Sequence, residues 1–99
     1  MRQVIVRYKV KPGRAEENEA LVRAVYEELR DVAPAGLRYA TFRLEDGVSF
    51  VHVSATDGES NPLSEVGAFR RFQENIRERC DEPPVVTQLH EVGSYRFFE

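Results

Sequence analysis

Side chains that could do chemistry cluster on one predicted β-hairpin of this sequence. His52 lies in the middle of the alternating segment Val48–Ala55, and the segment before it carries Tyr39 and Thr41. A neutral imidazole there could take a proton from a phenolic substrate, because histidine titrates near physiological pH. We therefore predict that His52 is a catalytic base. The alternative interpretation is a hydrogen-bonded histidine with a structural role.

Aromatic side chains predict a small-molecule cavity beside this histidine. Tyr8, Tyr39 and Tyr95 could each present a phenol hydroxyl to a ligand, or could pack with the hydroxyl on a carbonyl. Phe42 could line the same cavity, although the spacing of the phenylalanines fits an ordinary core equally well. The predicted substrate-binding residues are Tyr39, Thr41, Phe50, Phe69 and Phe72.

The remaining reactive residue types predict no metal site and no bound cofactor. His90 falls on the predicted last strand, where we expect a structural or interface role. Cys80 falls on an apolar helical stripe, where a free thiol behaves as a small hydrophobic group. Two histidines and one cysteine on separate elements do not have the ligand spacing of zinc sites. The sequence also has no nucleophile elbow and no glycine-rich phosphate loop, which argues against hydrolases, kinases and nucleotide-dependent dehydrogenases.

Composition narrows the classes of partner. The 99 residues include 14 basic and 17 acidic side chains, for a net charge of −3, which argues against nucleic-acid binding. No apolar run approaches the roughly 20 residues of a membrane-spanning helix. The sequence also shows no signal peptide pattern. We therefore expect a cytoplasmic protein with one domain over residues 1–99.

The periodicity of apolar residues predicts a βαββαβ order between Gln3 and Tyr95. Alternation predicts the first strand, and apolar steps of three and four residues predict the first helix. Asn61-Pro62 is typical of a helix start, with Asn61 as the cap, and Pro83-Pro84 should end that second helix before a last strand over Val85–Val92. The apolar stripes comprise Leu21, Val22, Val25, Leu29 and Val32 on the first helix, and Leu63, Val66, Phe69, Phe72, Ile76 and Cys80 on the second.

Asp46-Gly47 predicts a tight hairpin that sets the register of the two middle strands. Counting outward from a two-residue loop pairs Glu45 with Val48, Thr41 with His52 and Phe42 with Val51. One face of the hairpin is then plainly apolar and the other is aromatic and polar. We expect the helices to cover the apolar face, which comprises Ala40, Phe42, Leu44, Val51 and Val53.

Two helices with one apolar stripe each can cover only one face of a four-stranded sheet. The uncovered face would expose Tyr39, Phe50 and His52, and such aromatic patches usually mark an interface or ligand site. The C-terminal segment adds Phe97 and Phe98. We therefore predict a homodimer with two-fold symmetry, formed through the open sheet face and the C-terminal tail.

The chain resembles the antibiotic biosynthesis monooxygenase (quinol monooxygenase-like) family of dimeric α/β-barrel proteins. The resemblance lies in VIVRYKVKPGRAEENEALV, in the hairpin FRLEDGVSFVHVSATDG and in FRRFQENIRERCDEPPVV. It implies an α+β, ferredoxin-like fold with an antiparallel sheet of order 4-1-3-2. It also implies two sheets closing a barrel and a small-molecule cavity in each subunit, with no cofactor.

The sequence departs from some members of that family. Haem-degrading members use a tryptophan, together with a histidine on the second helix, and cofactor-free monooxygenases of polyketide biosynthesis also rely on a tryptophan. This chain has no tryptophan, and its second helix has no histidine. Haem degradation is therefore not expected. Two functions stay open: a cofactor-independent monooxygenase, or a related isomerase, acting on a small aromatic or quinol-like compound, and a non-catalytic dimer that binds a small apolar ligand or serves only in assembly.

Overall fold

The computed structural model describes residues 1–58 and 60–97. The strands are β1 (Arg2–Val10), β2 (Leu37–Arg43), β3 (Ser49–Thr56) and β4 (Cys80–Gln88). The helices are α1 (Ala15–Val32), α2 (Gly67–Gln73) and α3 (Ile76–Arg79), and a 3-10 turn over Pro62–Glu65 precedes α2. The predicted βαββαβ order is confirmed, with the second helix divided into short pieces.

The four strands form one antiparallel sheet in the order β2-β3-β1-β4, which confirms the predicted ferredoxin-like topology. The register of the hairpin is also as predicted, because Thr41 pairs with His52 and Phe42 pairs with Val51. On the next strand, Tyr8 pairs with Phe50 and Val6 pairs with His52. Residues opposite each other share a sheet face, so this register places one set of side chains beneath the helices.

The predicted assignment of the two sheet faces was wrong. Tyr8 and Phe50 are 2% and 1% exposed, and Tyr39 stacks on Tyr26 of α1, so the aromatic and polar face lies against the helices. The open face carries Ala40, Phe42, Val51 and Val53, and Phe42 is 51% exposed. The larger side chains fill the space beneath the helices, and buried hydrogen bonds satisfy their polar atoms.

The hairpin loop is wider than the predicted two residues, although the register does not change. β2 ends at Arg43 and β3 begins at Ser49. The Asp46 carboxylate accepts hydrogen bonds from the backbone N–H groups of Val48 and Ser49 and from the Ser49 hydroxyl. This side chain replaces ladder bonds at the loop, and the backbone of Val48 pairs with Val10 of β1 instead.

The second helix and the last strand also differ from the predictions. Asn75 adopts a left-handed conformation with φ 58°, which interrupts the helix before α3. β4 then begins at Cys80 and includes Pro83-Pro84, whereas the sequence predicted a strand over Val85–Val92. β4 lies at the sheet edge with a shifted register against β1, and proline is tolerated at such positions. Cys80 is therefore buried on a strand and not on a helix.

The C-terminal segment follows β4 along the open face. Leu89 donates its backbone N–H to the Gln3 carbonyl, and the Gln3 amide donates to Glu91. His90 is exposed and lies beyond the last strand, and Tyr95 and Phe97 are exposed further along. Phe98, which we included in the predicted interface, lies outside the described residues. Within residues 1–58 and 60–97, no helix has the length and apolar character needed to cross a bilayer.

Glu28 fixes the start of α2 to the side of α1. Its two carboxylate oxygens accept hydrogen bonds from the backbone N–H groups of Gly67 and Ala68, at 3.1 and 3.0 Å. These N–H groups have no partner within the helix, and a negative charge at a helix N-terminus is favourable. The contact therefore positions α2, which carries Phe69 and Phe72.

We predict that Glu28→Ala lowers the free energy of unfolding by about 1–2 kcal/mol, as for the loss of other side-chain helix caps. Urea unfolding followed by circular dichroism measures this. Glu27→Ala is the matched control, since Glu27 is the exposed neighbour on the same helix and should cost less than about 0.5 kcal/mol. Equal losses in both variants would show that the cap does not stabilise α2.

Candidate functional site

A cavity of about 380 Å³ lies between the helix-covered face of the sheet and the α2–α3 segment. Its apolar wall includes Val6, Phe69, Phe72, Ile76 and Val86. Its polar lining comprises the side chains of Tyr8, Tyr39, His52, Ser54, Asn61, Gln73 and Arg77. Asn61, Gln73 and Arg77 are exposed, so they form the rim, whereas His52 is 5% exposed and lies at the inner end. The dimensions suit a small, largely apolar ligand.

Hydrogen bonds occupy both ring nitrogens of His52. Nε2 lies 2.8 Å from the Tyr8 hydroxyl. Nδ1 lies 2.5 Å from the Tyr39 hydroxyl and 3.1 Å from that of Thr41. The imidazole ring also packs against Phe72, with 5.2 Å between ring centroids. The histidine, on β3, is therefore held in position by side chains from two neighbouring strands and one helix.

The hydrogen bonds continue from Tyr8 into the interior. Asn18 of α1, which is fully buried, donates from Nδ2 to the Tyr8 hydroxyl at 2.8 Å. Arg79 is 2% exposed and donates from Nε to Asn18 Oδ1 at 3.3 Å. At the other end, the hydroxyl of Tyr26 lies 2.7 Å from that of Thr41. We call this hydrogen-bonded series, Arg79–Asn18–Tyr8–His52–Tyr39 with Thr41 and Tyr26 beside it, the buried polar chain.

Burial sets the protonation states of the site. It lowers the pKa of His52 to about 4, so the imidazole is neutral at physiological pH. Burial raises the pKa values of the Tyr8 and Tyr39 phenols above their ordinary value, against the opposing effects of hydrogen bonds from Asn18 and Thr41 respectively. The buried polar chain is therefore neutral except for Arg79, and its hydroxyl groups act as hydrogen-bond donors and acceptors without ionising.

The structure brings most of the predicted site residues together. His52, Tyr39, Phe69 and Phe72 line the cavity. Thr41 contacts His52 through its hydroxyl but does not line this cavity, and its contact with a ligand stays a prediction. Phe50 lies further along the sheet, stacked on Tyr8 with 5.6 Å between centroids, and it does not line the cavity either. The catalytic role of His52 stays a prediction.

The sequence also predicted positions for Phe42 and Asn61, which the structure can be compared with. Phe42 was a candidate for the cavity wall, but it lies on the opposite sheet face. Asn61 caps the 3-10 turn before α2, as predicted, because its side-chain oxygen accepts the backbone N–H of Leu63. Among the described residues, no group of three or more histidine, cysteine or acidic side chains could hold a metal ion.

Sequence reasoning missed Asn18, Tyr26 and Arg79. Asn18 falls in phase with Val22 and Val25 on the buried face of α1. A polar residue in an apolar helical stripe usually has a buried hydrogen-bond partner, and that signal could have identified it. Arg79 gave no such signal, because the break at Asn75 turns an apparently exposed helical arginine into the interior.

The fold and site define an α+β protein of ferredoxin-like topology with an aromatic cavity beneath its helices. No protein-family model matches the sequence, and no curated protein sequence matches it significantly. Solved structures do match. Rv0793 from Mycobacterium tuberculosis superposes with a TM-score of 0.76 at 21% identity, over 94% of this chain and 96% of that protein.

Other matched structures carry names that agree with the predicted resemblance. A Nitrosomonas europaea protein, named as a presumed antibiotic biosynthesis monooxygenase, has a TM-score of 0.76 at 17% identity, over 94% of this chain and all of that one. A Bordetella bronchiseptica protein with the same designation has a TM-score of 0.61 at 24% identity, over 92% of this chain and 96% of that one. This chain therefore has the fold of proteins that bear the family's name.

The buried His52 predicts a specific pH dependence of stability. Its pKa is about 4 in the native state and near the usual 6.5 when unfolded, so the unfolded state binds the proton more readily between these values. Stability from this group is present above about pH 6.5 and is lost as the pH falls toward about 4. We expect His52→Gln to reduce the loss of unfolding free energy between about pH 7 and pH 4 by about 2–3 kcal/mol.

Urea unfolding at a series of pH values measures this difference. His90→Gln is the matched control, because His90 is exposed and the pH profile of that variant should follow the wild type. If His52→Gln also followed the wild-type profile, His52 would have an ordinary pKa in the native protein.

Proposed function

We propose that the chain is a monooxygenase of the antibiotic biosynthesis type that binds a small aromatic phenol or quinol and oxygenates it without a cofactor. The observation that supports this most is the cavity, where Tyr39 and His52 meet the aromatic wall of Phe69 and Phe72. The shared fold, over more than nine-tenths of the chain, agrees with it.

Tyr39 is the group that would contact the reacting oxygen of a substrate. It lines the cavity and is hydrogen-bonded to His52 at 2.5 Å. A phenolic substrate reacts with dioxygen as its electron-rich anion, so groups that stabilise the anion favour the reaction. The Tyr39 hydroxyl could donate to the substrate oxygen, and Arg77 places a positive charge at the rim. His52 then acts by positioning Tyr39.

The reaction balances without an external reductant. A naphthol and dioxygen give a naphthoquinone and water: one oxygen atom forms the new carbonyl, and the other leaves in water. The substrate loses the hydrogen of the attacked carbon and that of its hydroxyl, and it supplies the electrons that reduce dioxygen. The apolar cavity wall excludes bulk water from the anion, which strengthens the hydrogen bond from Tyr39.

We expect Tyr39→Phe to lower kcat/KM for oxygen consumption with a naphthol or a hydroquinone by about a hundredfold, because a donor to the developing anion is lost. An oxygen electrode measures the rate. Tyr95→Phe removes a hydroxyl from an exposed tyrosine of the tail and should leave the rate unchanged. Wild-type oxygen uptake at the background rate with every substrate would contradict the enzymatic proposal.

A second candidate function is non-catalytic binding of a small apolar compound in the same cavity. The observation that favours it is the occupancy of both His52 nitrogens by tyrosine hydroxyls, so His52 does not present a free nitrogen to a ligand. Calorimetry separates the two functions. Binding of naphthols without oxygen uptake would support the binding function, whereas turnover would exclude it.

We also propose that two copies associate through the open face of the sheet. No helix of the described residues covers this face in one chain, and the face exposes Phe42 by 51% and Val85 by 63%. Val51 and Val53 lie beside Phe42 and are only partly buried. The tail from Leu89 to Phe97 borders the same face near Val53. Apolar surface of this kind gains stability when a second sheet covers it.

We expect the wild type to sediment as a dimer at micromolar concentration and Phe42→Glu to raise the dissociation constant at least about tenfold, because a charge would be buried at the interface. Val32→Glu is the matched control: Val32 is 57% exposed at the end of α1 and lies away from the open face. A wild type that sediments at the monomer mass of 11.4 kDa would contradict the dimer.

A further inference from the structure

In the buried polar chain each hydrogen bond has a defined donor and a defined acceptor, and Arg79 determines which group is which. The guanidinium has only hydrogen-bond donors, so the atom of Asn18 that faces it must be the carbonyl oxygen. The amide nitrogen of Asn18 therefore faces Tyr8 and donates to the Tyr8 oxygen. The reverse orientation of the Asn18 side chain would place two donors against each other inside the protein.

The same reasoning makes Tyr8 the donor in its hydrogen bond with His52. The Tyr8 hydroxyl has one proton, and its oxygen already accepts the Asn18 amide, so the proton is available to His52 Nε2 at 2.8 Å. Nε2 must then be the unprotonated nitrogen of the neutral ring. Protonating Nε2 would turn the Tyr8 proton away from its acceptor. Tyr8 also lines the cavity, but the described residues there give its hydroxyl no third hydrogen-bond partner.

The proton of the neutral imidazole consequently lies on Nδ1, which donates to the Tyr39 oxygen at 2.5 Å. His52 then does not accept a hydrogen bond from the hydroxyl of Tyr39. It can reach Thr41 beside it or an acceptor in the cavity. We infer that Arg79 and Asn18 are positioning residues that hold His52 as the Nδ1–H tautomer, so that Tyr39 presents a donor to ligands with an acceptor oxygen.

The choice of asparagine at position 18 supports this inference independently. Arg79 is buried, and its other acceptors are the backbone carbonyls of Phe72 and Glu74. Among the described residues no carboxylate pairs with it. Electrostatics alone would favour an aspartate in contact with such a cation. An aspartate, however, could not donate to Tyr8, and only the amide joins the cation to the tyrosine with the observed direction.

The isosteric variant Asn18→Asp should exchange donor and acceptor in the hydrogen bonds that link position 18, Tyr8, His52 and Tyr39. The new carboxylate would accept from Arg79 and also from the Tyr8 hydroxyl, so the Tyr8 oxygen would accept from His52 Nε2–H. Nδ1 would then accept the proton of Tyr39, and the cavity would lose its donor. The variant should fold, because it gives the buried guanidinium a counter-charge without changing side-chain volume.

Nitrogen-15 NMR of the imidazole groups tests the inference. Long-range proton–nitrogen correlations should show His52 with a protonated Nδ1 in the wild type and a protonated Nε2 in Asn18→Asp. His90 is exposed and serves as the internal reference in every sample. Gln88→Glu is the matched control, because it also changes an amide to a carboxylate, but at an exposed position of β4, and it should keep the wild-type tautomer.

Naphthoquinone, whose oxygen atoms only accept hydrogen bonds, probes the ligand class by calorimetry. We expect it to bind about tenfold more weakly to Asn18→Asp than to the wild type, the effect of one hydrogen bond. A wild-type His52 with the proton on Nε2, or a tautomer that does not change in Asn18→Asp, would overturn the inference. The ligand class rests on the proposed function, whereas the tautomer does not. If the tautomers were as expected but the wild type did not bind naphthoquinone, only the ligand class and the proposed function would be contradicted.

Discussion

The buried guanidinium of Arg79 is the interaction on which the rest of this structure depends. It holds the carbonyl oxygens of Phe72 and Glu74, where α2 ends, and it contacts Asn18 in the first turn of α1. A buried cation is costly unless its donors are satisfied, so these three contacts must form together. They tie α1, α2 and the start of β4 to one point. The aromatic wall of the cavity is thereby held at a fixed distance from the sheet.

The same constraint explains why the aromatic face of the sheet lies beneath the helices. Tyr8, Tyr39 and His52 carry polar atoms that need partners when buried, and α1 supplies them through Asn18 and Tyr26. On the open face the side chains of Ala40, Phe42 and Val51 have no polar atoms to satisfy. Hydrophobicity alone would bury the second set. The first set is buried instead because it gains both aromatic packing and a complete set of hydrogen bonds.

Sequence patterns predicted the topology and the register of the hairpin, because strand alternation and the Asp46-Gly47 turn are local signals. They did not predict which hairpin face meets the helices, since both faces carry large apolar groups and the decision depends on residues distant in sequence. The predicted end of the second helix was wrong for a similar reason. Pro83-Pro84 indicated a break, but the break lies at Asn75 and the prolines lie on an edge strand. The side chain of Arg79, which stabilises that arrangement, has no local signature.

For the site, the sequence identified the histidine and part of the aromatic wall, but it did not predict the environment of the imidazole. A lone histidine on a strand suggests a base, because its ordinary pKa lies near neutrality. Here burial lowers the pKa of His52 to about 4, and Tyr8 and Tyr39 occupy both nitrogens. Accepting a substrate proton would require a buried charge and the loss of the Tyr8 hydrogen bond. A hydrogen bond from Tyr39 to the substrate oxygen avoids both costs, since it stabilises an anion without creating a cation in the interior. Chemistry in this cavity is therefore better served by a neutral donor than by a base.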